Sequence, residues 1–343
     1  MNILQQGQSP LFMDPDPDKA REFFRAKNHA LVDKRMTVRE AVAKFVPDGC
    51  YVASGGFGAN RIATALLHEI VRQGRKNLGF SGHTATHDCQ ILAAGECFDR
   101  CDVAYVIGLE ARGLSPNARK FFESGKVNTC EWSNAGLYWR YLAASLNAPF
   151  IVARTMLGSD TLKYSAAKVV EDPYTGKPVA LFPALYPDVA LIHVHEADIY
   201  GNARIRGIDI ADHVLARASK RVLLTTERII HNDEIRMAPT HTQIPYYLVD
   251  AVMEVPYGSY PGNMPYEYFS DEDHLRDWLQ AEKDTETLRK FLEQYIFGTR
   301  DFFEYLELCG ALRKMQKLRW AELNIPDQIT SADKGNQEGW RRE

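Results

Sequence analysis

PDVALIHVHEAD (187–198) is the stretch that decides the fold. Val189, Ala190, Leu191, Ile192 and Val194 follow one another almost without a polar interruption. The strand they predict is therefore covered on both faces, as a central strand of a parallel sheet is. Parallel strands need crossover connections, normally helices, and the flanking sequence supplies them. Upstream, CYVAS (50–54), NLGFSG (77–82), CDVAYVIG (101–108), VNTCEW (127–132) and FIVARTM (150–156) read as strands. Between them RIATALLHEIVRQG (61–74), DCQILAAGE (88–96), NARKFFESG (117–125) and AGLYWRYLAASLN (135–147) read as helices. Downstream, DIADHVLARAS (209–219) is helical, KRVLLTTERI (220–229) is a strand, and YYLVDAVMEVPYGSYPG (246–262) holds a last strand and a Gly/Pro-rich loop. This alternation predicts an α/β fold: an open, largely parallel sheet with helices on both faces.

The rest of the chain is arranged around that unit. Residues 1–36, with their DPDPD run, read as a polar N-terminal arm. The main domain spans 37–325 and opens on the helix TVREAVAKFV, with Thr37 as its N-cap. Residues 160–180 form an excursion around the turn chemistry of EDPYTGKP. From about Asp271 the pattern is charged and helical, with aromatics at helical spacing, and 326–343 is a polar tail.

Composition narrows the function. Of 343 residues 45% are hydrophobic and 25% charged, which excludes disorder for the bulk of the chain. Forty-one basic residues stand against forty-five acidic ones, a net −4 that offers no surplus for a phosphate backbone, so no nucleic-acid partner is expected. No apolar run approaches the ~18 residues of a membrane span. The first residues lack the basic start and apolar stretch of a secretory signal, so a cytoplasmic protein is expected. The cysteines, Cys50, Cys89, Cys97, Cys101, Cys130 and Cys309, are too sparse for a disulfide scaffold, and Cys97 and Cys101 lack the second pair of a structural zinc site.

Candidate chemistry clusters where strands end, the edge at which open α/β sheets bind ligands. GGFG (55–58) sits at a strand-to-helix turn, where glycines allow close backbone approach and helix-start N–H groups favour anions. A tight turn alone would explain it equally well. SGHTATHD (81–88) begins at the next strand end; His83 and His87 are four apart, but no third ligand completes a metal site. CEWSNAG (130–136) brings Glu131, Ser133 and Asn134 to a third strand end. Ser133 and Asn134 suit a helix N-cap, the commoner role, or an oxyanion contact. His193 and His195 alternate along one strand and share a face; buried, hydrogen-bonded histidines are the commoner outcome. Asp198, Gly201 and Asn202 need only a turn to explain them. No nucleophile elbow and no H-E-x-x-H is present. The residues by themselves define an α/β protein with a Gly-rich edge for an anionic or acyl ligand.

Five segments in order, YVASGGFGANR (51–61), CEWSNAGLYWRYLAASLNAPF (130–150), PDVALIHVHEADIYGNARIRG (187–207), LLTTERI (223–229) and NDEIRMAPTHTQIPYYLVDAVMEVPYGSYPG (232–262), resemble the A (alpha) subunit of family I CoA transferases, the glutaconate type most closely. The likeness covers roughly residues 37–310. It implies an open α/β fold of the CoA-transferase (NagB–RpiA-like) kind. It implies a separate, homologous B (beta) subunit that carries the nucleophilic glutamate, in a heterodimer assembling to a heterotetramer or higher. No copy of the B-type glutamate motif is recognisable here. The substrate implied is a coenzyme A thioester, with no tightly bound cofactor and no metal. Carried onto this sequence, the likeness places Asn134 where the family usually has a glutamine amide, one methylene longer. It sets Gly55, Gly56 and Phe57 in the loop facing substrate, with Ser81, Gly82 and His83 along the same edge. Some relatives depart from transfer and either cleave a C–C bond of a cyclic CoA thioester hydrolytically or decarboxylate glutaconyl-CoA. In such a hydrolase Glu131 would be a general base; as a structural carboxylate it would satisfy nearby N–H groups, the role preferred here. A non-enzymatic ligand-binding module on the same fold is a third reading.

Overall fold

Strand and helix alternate in the computed structural model, which describes residues 2–106, 108–109 and 112–324. The strands among these residues are β1 (Ile3–Gln6), β2 (Tyr51–Ser54), β3 (Leu78–Gly82), β4 (Phe98–Val103), β5 (Gly108–Leu109), β6 (Gly113–Leu114), β7 (Asn128–Glu131), β8 (Phe150–Ala153), β9 (Lys168–Glu171), β10 (Pro178–Pro183), β11 (Val189–Ala197), β12 (Ala203–Arg204), β13 (Arg221–Ile229) and β14 (Ala251–Glu254). The main sheet runs β14-β13-β11-β2-β3-β4-β7, parallel throughout, with β12 turning back antiparallel onto the end of β11. The fold expected from PDVALIHVHEAD is the one observed, and β11 is an interior strand of the sheet, between β13 and β2.

Alternation along the central strands divides the interior into two cores. Val52 and Leu191 face one side, with Phe80, Leu66, Ile70, Leu92, Trp278 and Tyr305. Tyr51, Ala53, Ala190 and Ile192 face the other, with Leu137, Tyr141, Phe182 and Leu215. The first core takes in the helices Thr64–Arg72 and His87–Ala94 and the C-terminal helices Glu272–Ala281, Thr285–Leu292, Phe302–Leu308 and Ala311–Leu323. The second takes in the helices Asn134–Ser145 and Asp212–Ala218. Thr37 caps the helix Val38–Phe45 as expected: its hydroxyl accepts from Glu40 N–H, and the Glu40 carboxylate accepts from Thr37 N–H at 2.8 Å, a reciprocal capping box.

Two segments differ from the sequence reading. FIVARTM does not join the parallel sheet. β8 lies in a separate antiparallel sheet of order β1-β9-β10-β8, and the excursion at 160–180 supplies β9 and much of the turn to β10. A short apolar run carries no information about its partner, and here the nearest partner is a hairpin rather than a crossover. The segment expected as an arm is held to the body: Ile3 pairs with Val170 on β9, and Lys34 O accepts from Val252 N–H on β14. The polar tail falls outside the described residues.

The chain order reverses between β2 and β11. β2, β3, β4 and β7 are added in one direction; then β11, β13 and β14 are added on the other side of β2. Such a switch point opens a crevice at the carboxyl ends of its two strands. Ser54 pairs with Leu191, so β11 runs on for six residues past the end of β2, and GGFG fills the step.

Candidate active site

The step at the switch point fixes the glycine loop in detail. Gly55 N–H donates to Leu191 O at 2.9 Å, Gly56 N–H to Asp212 Oδ1 at 2.9 Å, Phe57 N–H to Asn60 O at 3.0 Å and Gly58 N–H to Thr84 O at 2.8 Å. All four amides of the loop are thus committed inside the protein. Gly56 adopts φ +73°, and a Cβ there would stand 2.4 Å from Asn60 O, so both conformation and space demand glycine. A Cβ on Gly55 would lie 2.6 Å from Asp212 Oδ1. Asp212 opens the helix Asp212–Ala218; its Oδ2 accepts from Arg61 Nη2 at 2.9 Å, and both side chains are fully buried. Arg61 Nη2 also donates to Ile208 O at 2.7 Å, while its Nε and Nη1 are buried with no partner.

The second strand end is more deeply covered than the sequence suggested. Ser81 is fully buried and accepts a 2.8 Å hydrogen bond from Tyr141 OH. Gly82 leaves room for Asp88, whose Oδ2 would lie 3.1 Å from a Cβ at that position. Burial pushes the Asp88 carboxyl up to about 7, against the hydrogen bonds from Ser54 and neighbouring amides that favour its charged form. His83 is half-buried, with Nδ1 3.3 Å from Thr84 Oγ1; burial lowers its pKa and nearby Asp212 opposes that shift. His87 belongs elsewhere: its ring stands edge-on to Trp278 at 5.0 Å, and Nδ1 is 3.0 Å from Gln90 Oε1. His83 and His87 therefore form no common site.

At the third strand end the helix-cap role falls to Ser133 alone. Ser133 is the N-cap of the helix Asn134–Ser145, its Oγ accepting from Gly136 N–H at 2.9 Å. Asn134 is the first helical residue; its amide makes no hydrogen bond among the described residues, and Oδ1 is buried without a partner. Glu131, half-buried, has its pKa raised by burial and then by Asp160, and its carboxylate accepts no hydrogen bond from the described residues. The preferred reading, in which it satisfies neighbouring N–H groups, finds no such contact.

Behind this strand end lies a network that sequence reasoning missed. Asp102 on β4 accepts from Trp132 Nε1 at 2.7 Å, and also from Tyr51 OH and Arg140 Nη1. Arg140 is fully buried, its guanidinium 4.3 Å from the centroid of the Trp132 ring. Strands β2 and β4, the end of β7 and the helix Asn134–Ser145 are thereby fixed to one carboxylate, and the helix N-terminus that presents Asn134 inherits that position.

The other singled-out residues are structural. His193 lies between Thr225 Oγ1 at 2.8 Å and Glu227 Oε1 at 2.7 Å. His195 accepts from Arg206 N–H at Nδ1 and faces Pro265 O with Nε2 at 2.9 Å, which assigns the Nε2–H tautomer; burial takes its pKa down to about 4. Asp198 Oδ1 accepts from the amides of Tyr200, Gly201 and Asn202, an Asx-type turn. Burial raises the Cys97 thiol to about 12. A cavity of about 770 Å³ lies away from the three strand ends, under Arg35, Arg39, Glu69, Val255 and Phe302, and includes none of the candidate residues. The candidate residues gather instead at the switch point and at the adjoining strand ends.

An open parallel sheet with a glycine-filled switch point belongs to the class of α/β proteins that bind their ligands at the carboxyl ends of the strands. The chain belongs to the coenzyme A transferase family, whose sequence model matches residues 35–255. It is 32% identical over 320 residues to the A subunit of glutaconate CoA-transferase from Acidaminococcus fermentans, covering 88% of this chain and all of that one. It is 34% identical over 274 residues to the A subunit of 3-oxoadipate CoA-transferase from Pseudomonas knackmussii, covering 79% of this chain and 96% of that one. The crystal structure of the Acidaminococcus glutaconate coenzyme A-transferase superposes with a TM-score of 0.78 at 32% identity, over 82% of this chain and 94% of that one.

Proposed function

We propose that this chain is the A subunit of a heteromeric CoA transferase that moves CoA between an acyl-CoA and a dicarboxylic or 3-oxo acid. The observation that carries the reading is the near full-length likeness to the A subunits of two such enzymes. A separate B subunit brings the attacking glutamate, and the two assemble as a heterodimer and then a heterotetramer in the cytoplasm. No helix among the described residues is long and apolar enough to cross a membrane.

The reaction is covalent relay. The glutamate carboxylate attacks the thioester carbonyl, releasing CoA thiolate and leaving an acyl-glutamyl anhydride. The thiolate attacks the glutamyl carbonyl of that anhydride, giving a glutamyl-CoA thioester and the free acyl carboxylate. The incoming acid reverses both steps. Dividing one transfer into several additions lowers each barrier. Every addition passes through an oxyanion, which a preorganised donor stabilises most when it has no competing partner. Asn134, at the start of a helix and with its amide unpaired, is assigned that donor role; Ser133 holds the helix terminus, and the N-terminal dipole adds to the field. Gly55, Gly56 and Phe57 form the wall along which the acyl group lies, with Gly82 and His83 next to it and Ser81 behind. Glu131 faces the same edge as an unpaired carboxylate.

Co-purification of the chain with its B subunit, followed by borohydride or hydroxylamine trapping in the presence of acyl-CoA, tests the reading. A trapped glutamyl-CoA thioester on the B subunit is expected. A complex that turns over a competent acyl-CoA without any adduct would refute transfer and return the hydrolytic reading.

A further inference from the structure

The glycine loop contains an asymmetry that its sequence does not reveal. Three of its amides are held by backbone carbonyls, of Leu191, Asn60 and Thr84, and can be released only by moving the chain. The fourth, Gly56 N–H, is held by a side chain, the carboxylate of Asp212. A side-chain acceptor can leave by rotating about χ angles alone.

Arg61 gives Asp212 somewhere to go. The guanidinium uses Nη2 for both Asp212 Oδ2 and Ile208 O, and leaves Nε and Nη1 buried and unpaired. Each of those orphans forms, with Nη2, one edge of the planar fork that binds a carboxylate through two parallel hydrogen bonds. Leaving buried N–H groups unsatisfied is costly, so the present arrangement is not the one that pairs this arginine best. Arg61 also holds φ +55°, a left-handed conformation that a long side chain adopts at a cost and that recurs where a site stores strain. Gly55 contributes space: Asp212 Oδ1 occupies the volume a Cβ would take.

We propose that Gly56 N–H is an oxyanion donor held in reserve, capped by Asp212 in the free enzyme and released when Asp212 turns to grip Arg61 through both carboxylate oxygens. The swing exchanges one hydrogen bond, Gly56 N–H to Oδ1, for one from Nε or Nη1 to the same oxygen. Gly56 then has a free N–H, positioned at the carboxyl end of β2, for the negative charge that grows on the thioester oxygen. Asp212 and Arg61 are positioning residues in this scheme, and Gly56 supplies the contact. The inference rests on the reading of the chain as the A subunit of a CoA transferase.

The test uses the complex with the B subunit. Arg61→Lys keeps the positive charge but removes the planar fork; Asp212→Asn keeps an oxygen acceptor for Gly56 N–H but is not drawn onto the guanidinium. Each is expected to lower kcat by about tenfold or more with KM unchanged, the pattern of an interaction made only in the transition state. A merely structural role would lower the melting temperature and leave kcat per folded molecule intact. Independently of any variant, selective ¹⁵N-glycine labelling of the wild-type chain reads the Gly56 amide resonance, which should shift when acyl-CoA is added. Wild-type kcat in both variants of an active complex, or an unmoved Gly56 resonance in it, overturns the inference alone. A wild-type complex that transfers no CoA overturns the A-subunit reading and this role with it.

Discussion

Replacing Asp102 by alanine should be among the most damaging single changes away from the loop, and its cost can be worked from the contacts. Asp102 is 1% exposed and pairs with a fully buried Arg140. Breaking a buried pair by removing one partner costs about 3–5 kcal/mol, because the remaining charge is stranded. Tyr51 OH keeps a second acceptor, Phe80 O at 3.2 Å, but Trp132 Nε1 loses the carboxylate it donates to. That adds about 1–3 kcal/mol, not fully additive with the first cost. A total near 5 kcal/mol is expected, on the order of the larger figure for a broken buried pair. Unfolding entropy is about 2.1 cal/mol/K per residue, so a chain of 343 residues shifts by roughly 1.4 °C per kcal/mol. The melting temperature should therefore fall by about 7 °C. Urea unfolding monitored by Trp fluorescence measures the free energy, and calorimetry the temperature. Asp102→Asn, which keeps an acceptor for Trp132, should cost less than the alanine. The double change Asp102→Leu with Arg140→Met should recover most of the loss, since a buried pair replaced by apolar groups of similar size is often neutral. An alanine variant within about 1 kcal/mol of wild type would show that the Asp102 network does not anchor the helix that presents Asn134.

Three further expectations separate the roles assigned at the site. Asn134→Ala should slow turnover of the complex by ~10²-fold with little change in stability, whereas Ser133→Ala should cost about 1 kcal/mol of stability through the lost cap; a turnover loss below about threefold for Asn134→Ala would remove it from the oxyanion. Gly55→Ala places a Cβ 2.6 Å from Asp212 Oδ1 and should depress kcat through the loop; an alanine variant with wild-type kinetics would mean that Asp212 does not need that seat. His68 is fully buried with neither ring nitrogen partnered, and burial holds its pKa well below 6.5. A depressed folded-state pKa means the unfolded chain takes the proton first, so this group's contribution is complete above pH 6.5 and is lost as pH falls below it, at up to about 1.4 kcal/mol per pH unit. His68→Leu should flatten the fall in melting temperature between pH 7 and pH 5; an unchanged slope would assign the acid sensitivity to other groups.

Much of this architecture was legible in the sequence, for definite reasons. The apolar run around Ile192 announces a strand buried on both faces, and Thr37 ahead of a helical pattern announces a helix start, because periodicity and capping are local. The positions of GGFG, SGHT and EWSN at the ends of three strands are legible for the same reason. The partner of FIVARTM was not legible, since a strand's own residues do not say which strand it pairs with. The burial of Ser81 under Tyr141, 60 residues away, was not legible either. The split between Ser133 and Asn134 lay beyond the sequence by a single position: both residue types cap helices, and only the hydrogen bond to Gly136 decides which one does.

What was missed follows a common principle. Asp88, Asp102 and Asp212 stand behind three successive features of the site: the end of β3, the helix carrying Asn134, and the glycine loop. Each is buried, and although Asp88 stands out in sequence beside His83 and His87, the burial of none of the three is legible there, because an aspartate in a helical or strand pattern reads as surface. Burying a carboxylate is expensive unless it is paired and hydrogen-bonded. Here the pairing partners are Arg140 and Arg61 for two of them, 38 and 151 residues away, while Asp88 responds by holding its proton to about 7. An apolar core would support the same sheet at lower cost. It would not aim particular N–H groups: Asp212 selects Gly56 and Asp102 selects Trp132, each with a direction that hydrophobic packing lacks. Direction at the carboxyl edge of the sheet is what these buried carboxylates supply: Asp212 fixes the glycine loop through Gly56 N–H and Asp102 fixes the start of the helix that carries Asn134 through Trp132 and Arg140.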